Sequence, residues 1–209
     1  FEITRNEIIY DIQGNRNPFI DNPEYVSILW GNDGSLSNAL RLRGVMDFDL
    51  SGSNGKSLHL YAQQDIPDLS IFGIGVANNG GGTDGQEEIL PAMSVSEGDH
   101  ILLARSPESI ESYLGDCYQN FDHVIQASDA ISQNGDDAIE VYEQGVLIET
   151  FGDVNQDGTG QSWEYSDSWA YNFDGIWSYG LNCEGVNSSI TGTGSFSFSL
   201  SQFSMDESM

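Results

Sequence analysis

The feature that most constrains the fold is a change of hydrophobic period near residue 38. Beyond it, short runs rich in β-branched and aromatic residues alternate apolar with polar positions, and Gly, Asn and Asp separate them. A two-residue period is typical of strands that bury one face, and many short strands between turns favour a β-sandwich. We therefore predict a mainly β domain over residues 39–203. Its strands are expected in ALRLRGVMDF, SLHLYA, LSIFGIGV, HILLAR, AIEVYEQGVLIETFG, SWAYN, IWSYG and SFSFSLS.

One helix is predicted inside this domain, in the stretch SPESIESYLG. Ser106 stands at the N-cap position, Pro107 in the first turn and Gly115 at the end, which is the usual arrangement of these residues around a helix. We expect this helix to close one end of the sandwich. The glycine-rich stretch 78–88 is predicted to be a mobile connection.

The first 31 residues have a helical pattern instead, so the β domain is preceded by a short helical fragment. A first helix is predicted in NEIIYDIQG, with Asn6 as N-cap, Ile8, Ile9 and Ile12 on one face and Gly14 at its end. A second helix is predicted after residue 21, with Pro23 in its first turn. Residues 32–38 have the composition of a linker, and residues 204–209 are expected to fray.

The charge of the chain restricts its partners. It carries 33 Asp and Glu against 6 Lys and Arg, a net charge of −27. Such a charge repels phosphate, so we expect no direct binding of nucleic acid by this chain. An aromatic content of 11% is nevertheless too high for a disordered acidic tail. No apolar run approaches the roughly 20 residues that span a membrane, so no membrane span is predicted.

The two cysteines and three histidines allow few kinds of site. Cys117 and Cys183 permit at most one intramolecular disulfide, which would suit a secreted protein, whereas two buried thiols would suit a cytosolic one. His59, His100 and His123 lie in β-like runs without the Glu–His pairing that a catalytic metal would need. We predict that each is an ordinary surface or half-buried residue.

One loop has the spacing of a calcium site. Residues 153–164, DVNQDGTGQSWE, fit the pattern D-x-[DN]-x-[DN]-G-x5-E. Hard oxygen ligands at such positions suit Ca²⁺, and here they would come from Asp153, Asn155, Asp157, the Thr159 carbonyl and Glu164. The flanking residues have strand patterns instead of the two helices of an EF-hand. The alternative is therefore an ordinary acidic loop.

The opening stretch NEIIYDIQGNRNPFIDNPEYVSILWG closely resembles the C-terminal end of the endonuclease I family of secreted, metal-dependent nucleases. The resemblance implies that the chain begins inside the last part of such a domain. The catalytic His and the Mg²⁺ ligands of that family lie upstream of this segment, so we expect no catalytic residue in this chain and Mg²⁺ only in the missing nuclease portion. Asn15, Arg16 and Asn17 could touch phosphate in an intact nuclease, or stabilise the turn that they form.

Residues 36–183 resemble the bacterial lamin-tail domain, an immunoglobulin-like β-sandwich attached to secreted enzymes. The resemblance is carried, in order, by LRGVMD, GKSLHLY, DIPDLSIFGIGVANNGGGTDGQE, VSEGDHILLA, NGDDAIEVYEQGVLIETFGDVNQDGTG and WEYSDSWAY. His59 stands where the family usually has Glu. The resemblance implies an extracellular module for binding or positioning, without catalysis.

Two functions follow from these resemblances. The first is the C-terminal part of a secreted endonuclease I-type nuclease whose β-sandwich binds or positions the enzyme. The second is a stand-alone extracellular binding or adhesion module, stabilised by calcium in the 153–164 loop. A hydrolase based on paired carboxylates ranks last, because no pair stands out among the many acidic residues. The sequence leaves open whether the sandwich binds a polysaccharide, a cell-surface component, extracellular DNA together with its cations, or another domain.

Overall fold

The structure is a computed structural model that describes residues 2–14, 16–22, 36–173 and 175–179. The chain forms two compact units, residues 1–37 and residues 38–209. The expected second helix after Pro23, most of the linker, the SFSFSLS strand and the frayed end at 204–209 lie outside the described residues.

The first unit contains two short helices, α1 (Glu2–Gln13) and α2 (Pro18–Asp21). Asn6 lies inside α1, so its prediction as an N-cap is wrong. Its buried amide accepts the Asn17 N–H (2.8 Å) and donates to the Asp21 carboxylate (3.0 Å), which ties the two helices together. Gly14 ends α1 with a positive φ, as predicted. The unexpected helix α2 is capped by Asn17, whose side chain accepts the Phe19 N–H.

The second unit contains two β-sheets in its described part. Its strands are β1 (Leu40–Asp47), β2 (Lys56–Ala62), β3 (Phe72–Ala77), β4 (Glu88–Ile89), β5 (His100–Ala104), β6 (His123–Gln126), β7 (Ala138–Glu143), β8 (Val146–Phe151), β9 (Trp169–Phe173) and β10 (Ile176–Tyr179). One sheet has the order β10-β9-β1-β2-β5-β6 and the other β4-β3-β7-β8. Neighbouring strands are antiparallel except β5 and β6. The prediction of a mainly β fold is confirmed, and the two sheets agree with a β-sandwich.

The main core lies between the two sheets, where alternate residues of the strands face one another. On β1 these are Leu40, Leu42 and Val45, all 1% exposed or less. A bulge between Leu42 and Gly44 shifts the alternation by one residue. Burial of side chains of this size contributes about 1.5–3 kcal/mol each. The alternating pattern that predicts the strands is therefore also what builds the core.

A second apolar cluster covers the outer face of the six-stranded sheet. Helix α3 (Pro107–Leu114) packs Ile110 and Leu114 on Met46 and Leu102, which alternate along their strands with residues of the main core. The helix is present as predicted, but the expectation that it closes one end of the sandwich is wrong. Among the described residues, no helix is long and apolar enough to cross a membrane.

Candidate functional site

The turn between α1 and α2 holds two of the three residues predicted as a nuclease-domain motif. Arg16 donates from Nε and Nη2 to the two carboxylate oxygens of Asp21, at 2.7 and 2.8 Å. These bonds lower the pKa of Asp21. Asn17 caps α2, and Asn15 lies outside the described residues. Both described residues have structural partners in the turn, while contact with phosphate stays a prediction.

Helix α1 presents large apolar side chains to solvent. Ile8 is 57% exposed, Ile12 78% and Tyr10 47%. Ile8 and Ile12 are four residues apart and therefore share one face of the helix. Exposed apolar residues that cluster on one face are typical of a surface that another protein segment covers.

The 153–164 loop folds through its own carboxylates. Asp153 accepts the N–H of Asn155 (2.9 Å), Asp157 accepts the N–H of Thr159 (2.9 Å), and Glu164 accepts the N–H of Gly160 (2.8 Å). The bonds from Thr159 lower the pKa of Asp157. These oxygen donors are of the kind that Ca²⁺ prefers, but each carboxylate already accepts a loop amide. In residues 36–173 and the other described ranges, no three His, Cys, Asp or Glu side chains form a metal-binding group. Calcium binding stays a prediction.

Two neighbouring loops fasten the 153–164 loop. The N–H of Gly82 donates to the carbonyl of Val154 (2.8 Å), and the N–H of Gly158 donates to the carbonyl of Asp136 (2.9 Å). Asn79 in turn donates its N–H to the Asp137 carboxylate (2.7 Å). The stretch 78–88 is thus hydrogen-bonded within a group of three loops, and its mobility stays a prediction.

The histidines are more closely associated than the sequence predicts. His59 is fully buried, so its prediction as a surface or half-buried residue is wrong. Its Nε2 lies 2.8 Å from Nδ1 of His100, and its ring meets Phe121 edge-on. Burial lowers the pKa of His59 well below its usual value, and the charges of His100 and Arg43 lower it further. No signal in the sequence near residue 59 shows that this outer face is covered.

A polar recess of about 310 Å³ was not anticipated from the sequence. It opens beside β1, where the pairing with β9 is limited to Gly44–Met46. The carboxylate of Glu149 on β8 reaches the part of β1 beyond this pairing and accepts the N–H of Leu42 (3.0 Å). The polar residues of the recess are Arg41, Arg43, Gln63, Glu149 and Asn172.

Cys117 is half-buried and packs against the cluster under α3. Cys183 lies outside the described residues, so a disulfide between the two stays a prediction.

Comparison with known protein families gives one match. Residues 1–24, which include α1 and α2, match the family model described as Endonuclease I. Neither the curated proteins nor the solved structures gave a match to the chain. The family match supports an end segment of an endonuclease I-type protein at residues 1–24, and it does not extend into the two-sheet unit.

Proposed function

We propose that this chain is the C-terminal part of a secreted endonuclease I-type nuclease. Its β-sandwich, of the lamin-tail type, is a non-catalytic module that binds or positions the enzyme outside the cell. The observation that carries the proposal is the match of residues 1–24 to the Endonuclease I family. The order of the sequence blocks between residues 36 and 183 supports the lamin-tail part.

The surface of α1 supports the nuclease part of the proposal. Ile8 and Ile12 are exposed on one face of a helix whose partner among the described residues of this unit is the four-residue helix α2. Burying such side chains against a protein body contributes about 1.5–3 kcal/mol each. The body of the nuclease domain is the natural cover for this face, and it would also carry the catalytic His and the Mg²⁺ ligands.

The sequence upstream of Phe1 tests the proposal. The reading frame is expected to encode the Glu–His motif and the Mg²⁺-binding Asn of the endonuclease I family. A frame that opens directly from a signal peptide onto Phe1 would contradict it.

A reconstitution experiment tests the same proposal physically. A nuclease body that ends before this segment is expected to regain activity when the 209-residue chain is added, because α1 completes its core. The paired substitution Ile8→Asp and Ile12→Asp should prevent this rescue. Ile89→Asp is a matched control, because Ile89 is equally apolar and 66% exposed but lies in the β-sandwich unit. Equal rescue by all three chains would argue against the proposal.

The alternative is a stand-alone binding module that calcium stabilises. The oxygen donors of the 153–164 loop favour it. Calcium at millimolar concentration would then raise the melting temperature, and Asp157→Asn would reduce the rise. An unchanged melting temperature would leave the loop as an ordinary acidic turn.

A further inference from the structure

The recess beside β1 concentrates positive charge in a strongly acidic chain. The whole chain has six Lys and Arg residues and a net charge of −27. Two of the six, Arg41 and Arg43, line this one recess. Glu149 is its acidic member, so the side chains that line the recess sum to one positive charge. A recess with this balance attracts an anion although the body around it repels anions.

The existing contacts hold both guanidinium groups in place. Arg41 donates from Nε to Gln63 (3.1 Å) and lies 3.9 Å from Glu149. Arg43 lies over the ring of Tyr61, 4.7 Å from its centre, and contacts the carbonyl of Asn172 through Nη1 (3.5 Å). An Arg side chain has five N–H donors. Among the contacts of the described residues, the Nη2 groups of both arginines have none, which leaves them for a ligand.

Glu149 supports the recess without neutralising it. Its carboxylate accepts the N–H of Leu42 at the bulged part of β1, where β9 has separated from the strand. Burial raises the pKa of Glu149. The Glu149 oxygen that accepts this bond therefore has a structural role. Gln63 and Asn172 add neutral polar groups to the lining of the recess.

Two physical arguments select the class of anion. A planar guanidinium group matches the planar carboxylate in a two-bond arrangement. A net charge of −27 repels an anion in proportion to its charge, which disfavours phosphate relative to a monovalent group. The amides of the recess can serve the hydroxyl groups beside such a carboxylate.

We propose that this recess binds a carboxylate that is flanked by hydroxyl groups, as in a uronic acid. Free sugar acids and the uronate units of an acidic polysaccharide share this chemistry. The proposal deepens the binding role that we propose for the β-sandwich and rests on that role, but it does not depend on the nuclease part.

Calorimetric titration of the full 209-residue chain with sodium galacturonate tests the proposal. Galacturonate is expected to bind at millimolar concentrations, whereas neutral galactose gives no binding and inorganic phosphate binds at least tenfold more weakly. Arg41→Gln and Arg43→Gln are each expected to weaken galacturonate binding at least tenfold. Circular dichroism of each variant verifies that the fold is intact.

Arg105→Gln is the matched control. It removes the same charge from the same unit, but Arg105 contacts Asp129 and the carbonyl of Ile131 away from the recess. Binding by this variant should equal that of the parent chain. A tenfold loss in Arg105→Gln, equal binding of phosphate, or no binding of galacturonate to the folded chain would overturn the proposal.

A trimer of galacturonate distinguishes a free sugar acid from an acidic polysaccharide as the ligand. If it binds at least tenfold more tightly than the monomer, the ligand is a polysaccharide; equal affinity indicates a free sugar acid. Either result supports a carboxylate site. If no uronate binds, the proposed carboxylate site is wrong. The nuclease proposal would be unaffected, because the upstream reading frame tests it separately.

Discussion

At the scale of single residues, His59 shows how burial changes the protonation of a side chain. Its neighbours Leu58 and Leu60 face the main core, so His59 faces the opposite side of the sheet. That side is covered by Phe121, and His59 shares a hydrogen bond with His100. Burial lowers the pKa of both rings and Arg43 lowers it further, whereas Asp122 and Asp99 raise that of His100. The neutral form of the pair therefore fits the fold best.

Acidification is expected to destabilise the β-sandwich through His59. Its folded pKa lies well below 6.5, so below pH 6.5 the unfolded chain binds a proton that the folded chain does not. The neutral His59 therefore costs the folded chain no stability above pH 6.5, and the free energy of unfolding decreases as the pH falls below that value. Between pH 7.5 and 5.5 this decrease amounts to roughly 1–1.5 kcal/mol for one such site.

Urea denaturation of the parent chain and of His59→Gln at both pH values measures this effect. Gln cannot gain a proton, so the His59→Gln variant should lose less unfolding free energy between pH 7.5 and 5.5 than the parent chain, by roughly 1–1.5 kcal/mol. The comparison is needed because burial raises the pKa of Asp47, Asp137 and Glu149, which act with the opposite sign. Equal losses in His59→Gln and the parent would contradict the prediction.

Gly80 is expected to tolerate a side chain poorly, because both its backbone conformation and its neighbours exclude a Cβ. Its φ is +67°, and a Cβ there would lie 2.6 Å from the carbonyl carbon of Gln156. Gly85 also has a positive φ, but nothing lies within 4 Å of its Cβ position. Gly85→Ala therefore measures the backbone cost alone, about 1–2 kcal/mol, and Gly80→Ala adds the overlap.

Thermal or urea unfolding of the two variants separates these terms. We expect Gly80→Ala to lose at least about 1 kcal/mol more than Gly85→Ala. Equal losses would mean that the loop at 153–164 moves away from residue 80 at little cost.

At the scale of secondary-structure elements, the local pattern predicts most strands, and the reason is physical. Alternation in a run such as KSLHLYA identifies the residues that face the main core, although it does not show that the other face of this strand is buried too. Strand β4 was not predicted, because EI is too short to show a period, and β6 was expected only as a β-like run around His123. The recess could not be predicted either, since Leu42 and Glu149 meet across 107 residues of sequence. A local sequence pattern cannot predict contacts between residues that are so far apart in the chain.

Helix α3 is expected to contribute strongly to stability through its buried face. Ile110 is 0% exposed and packs against the outer face of the large sheet. Ile110→Ala should cost about 2–5 kcal/mol, because the cavity that it leaves cannot collapse completely. Ile89→Ala makes the same change at a side chain that is 66% exposed, and it should cost less than about 1 kcal/mol. Equal costs in urea denaturation would show that α3 is only loosely attached to the sheet.

At the scale of the whole molecule, the two units differ in what they offer to a partner. The first presents an apolar helix face and matches the end of a nuclease family. In its described part, the second unit holds most of its apolar residues between and behind its sheets, although Ile89, Val146 and Ile176 are exposed. It also presents acidic loops and a recess lined by two arginines. This division agrees with our proposal that the first unit completes a catalytic domain and the second binds a separate ligand.

The purified 209-residue chain is expected not to cut DNA, with or without Mg²⁺. The resemblance to the endonuclease I family implies that the catalytic groups of such a domain lie upstream of this segment, and the net charge of −27 opposes approach to DNA. Plasmid incubated with the chain and millimolar Mg²⁺ should remain supercoiled. A chain carrying His59→Gln, His100→Gln and His123→Gln together serves as the control for an overlooked histidine base. Mg²⁺-dependent nicking that survives repurification and disappears in this triple variant would show that the β-sandwich itself is catalytic. Nicking that persists in the triple variant at the same rate would instead be traced to a contaminating nuclease.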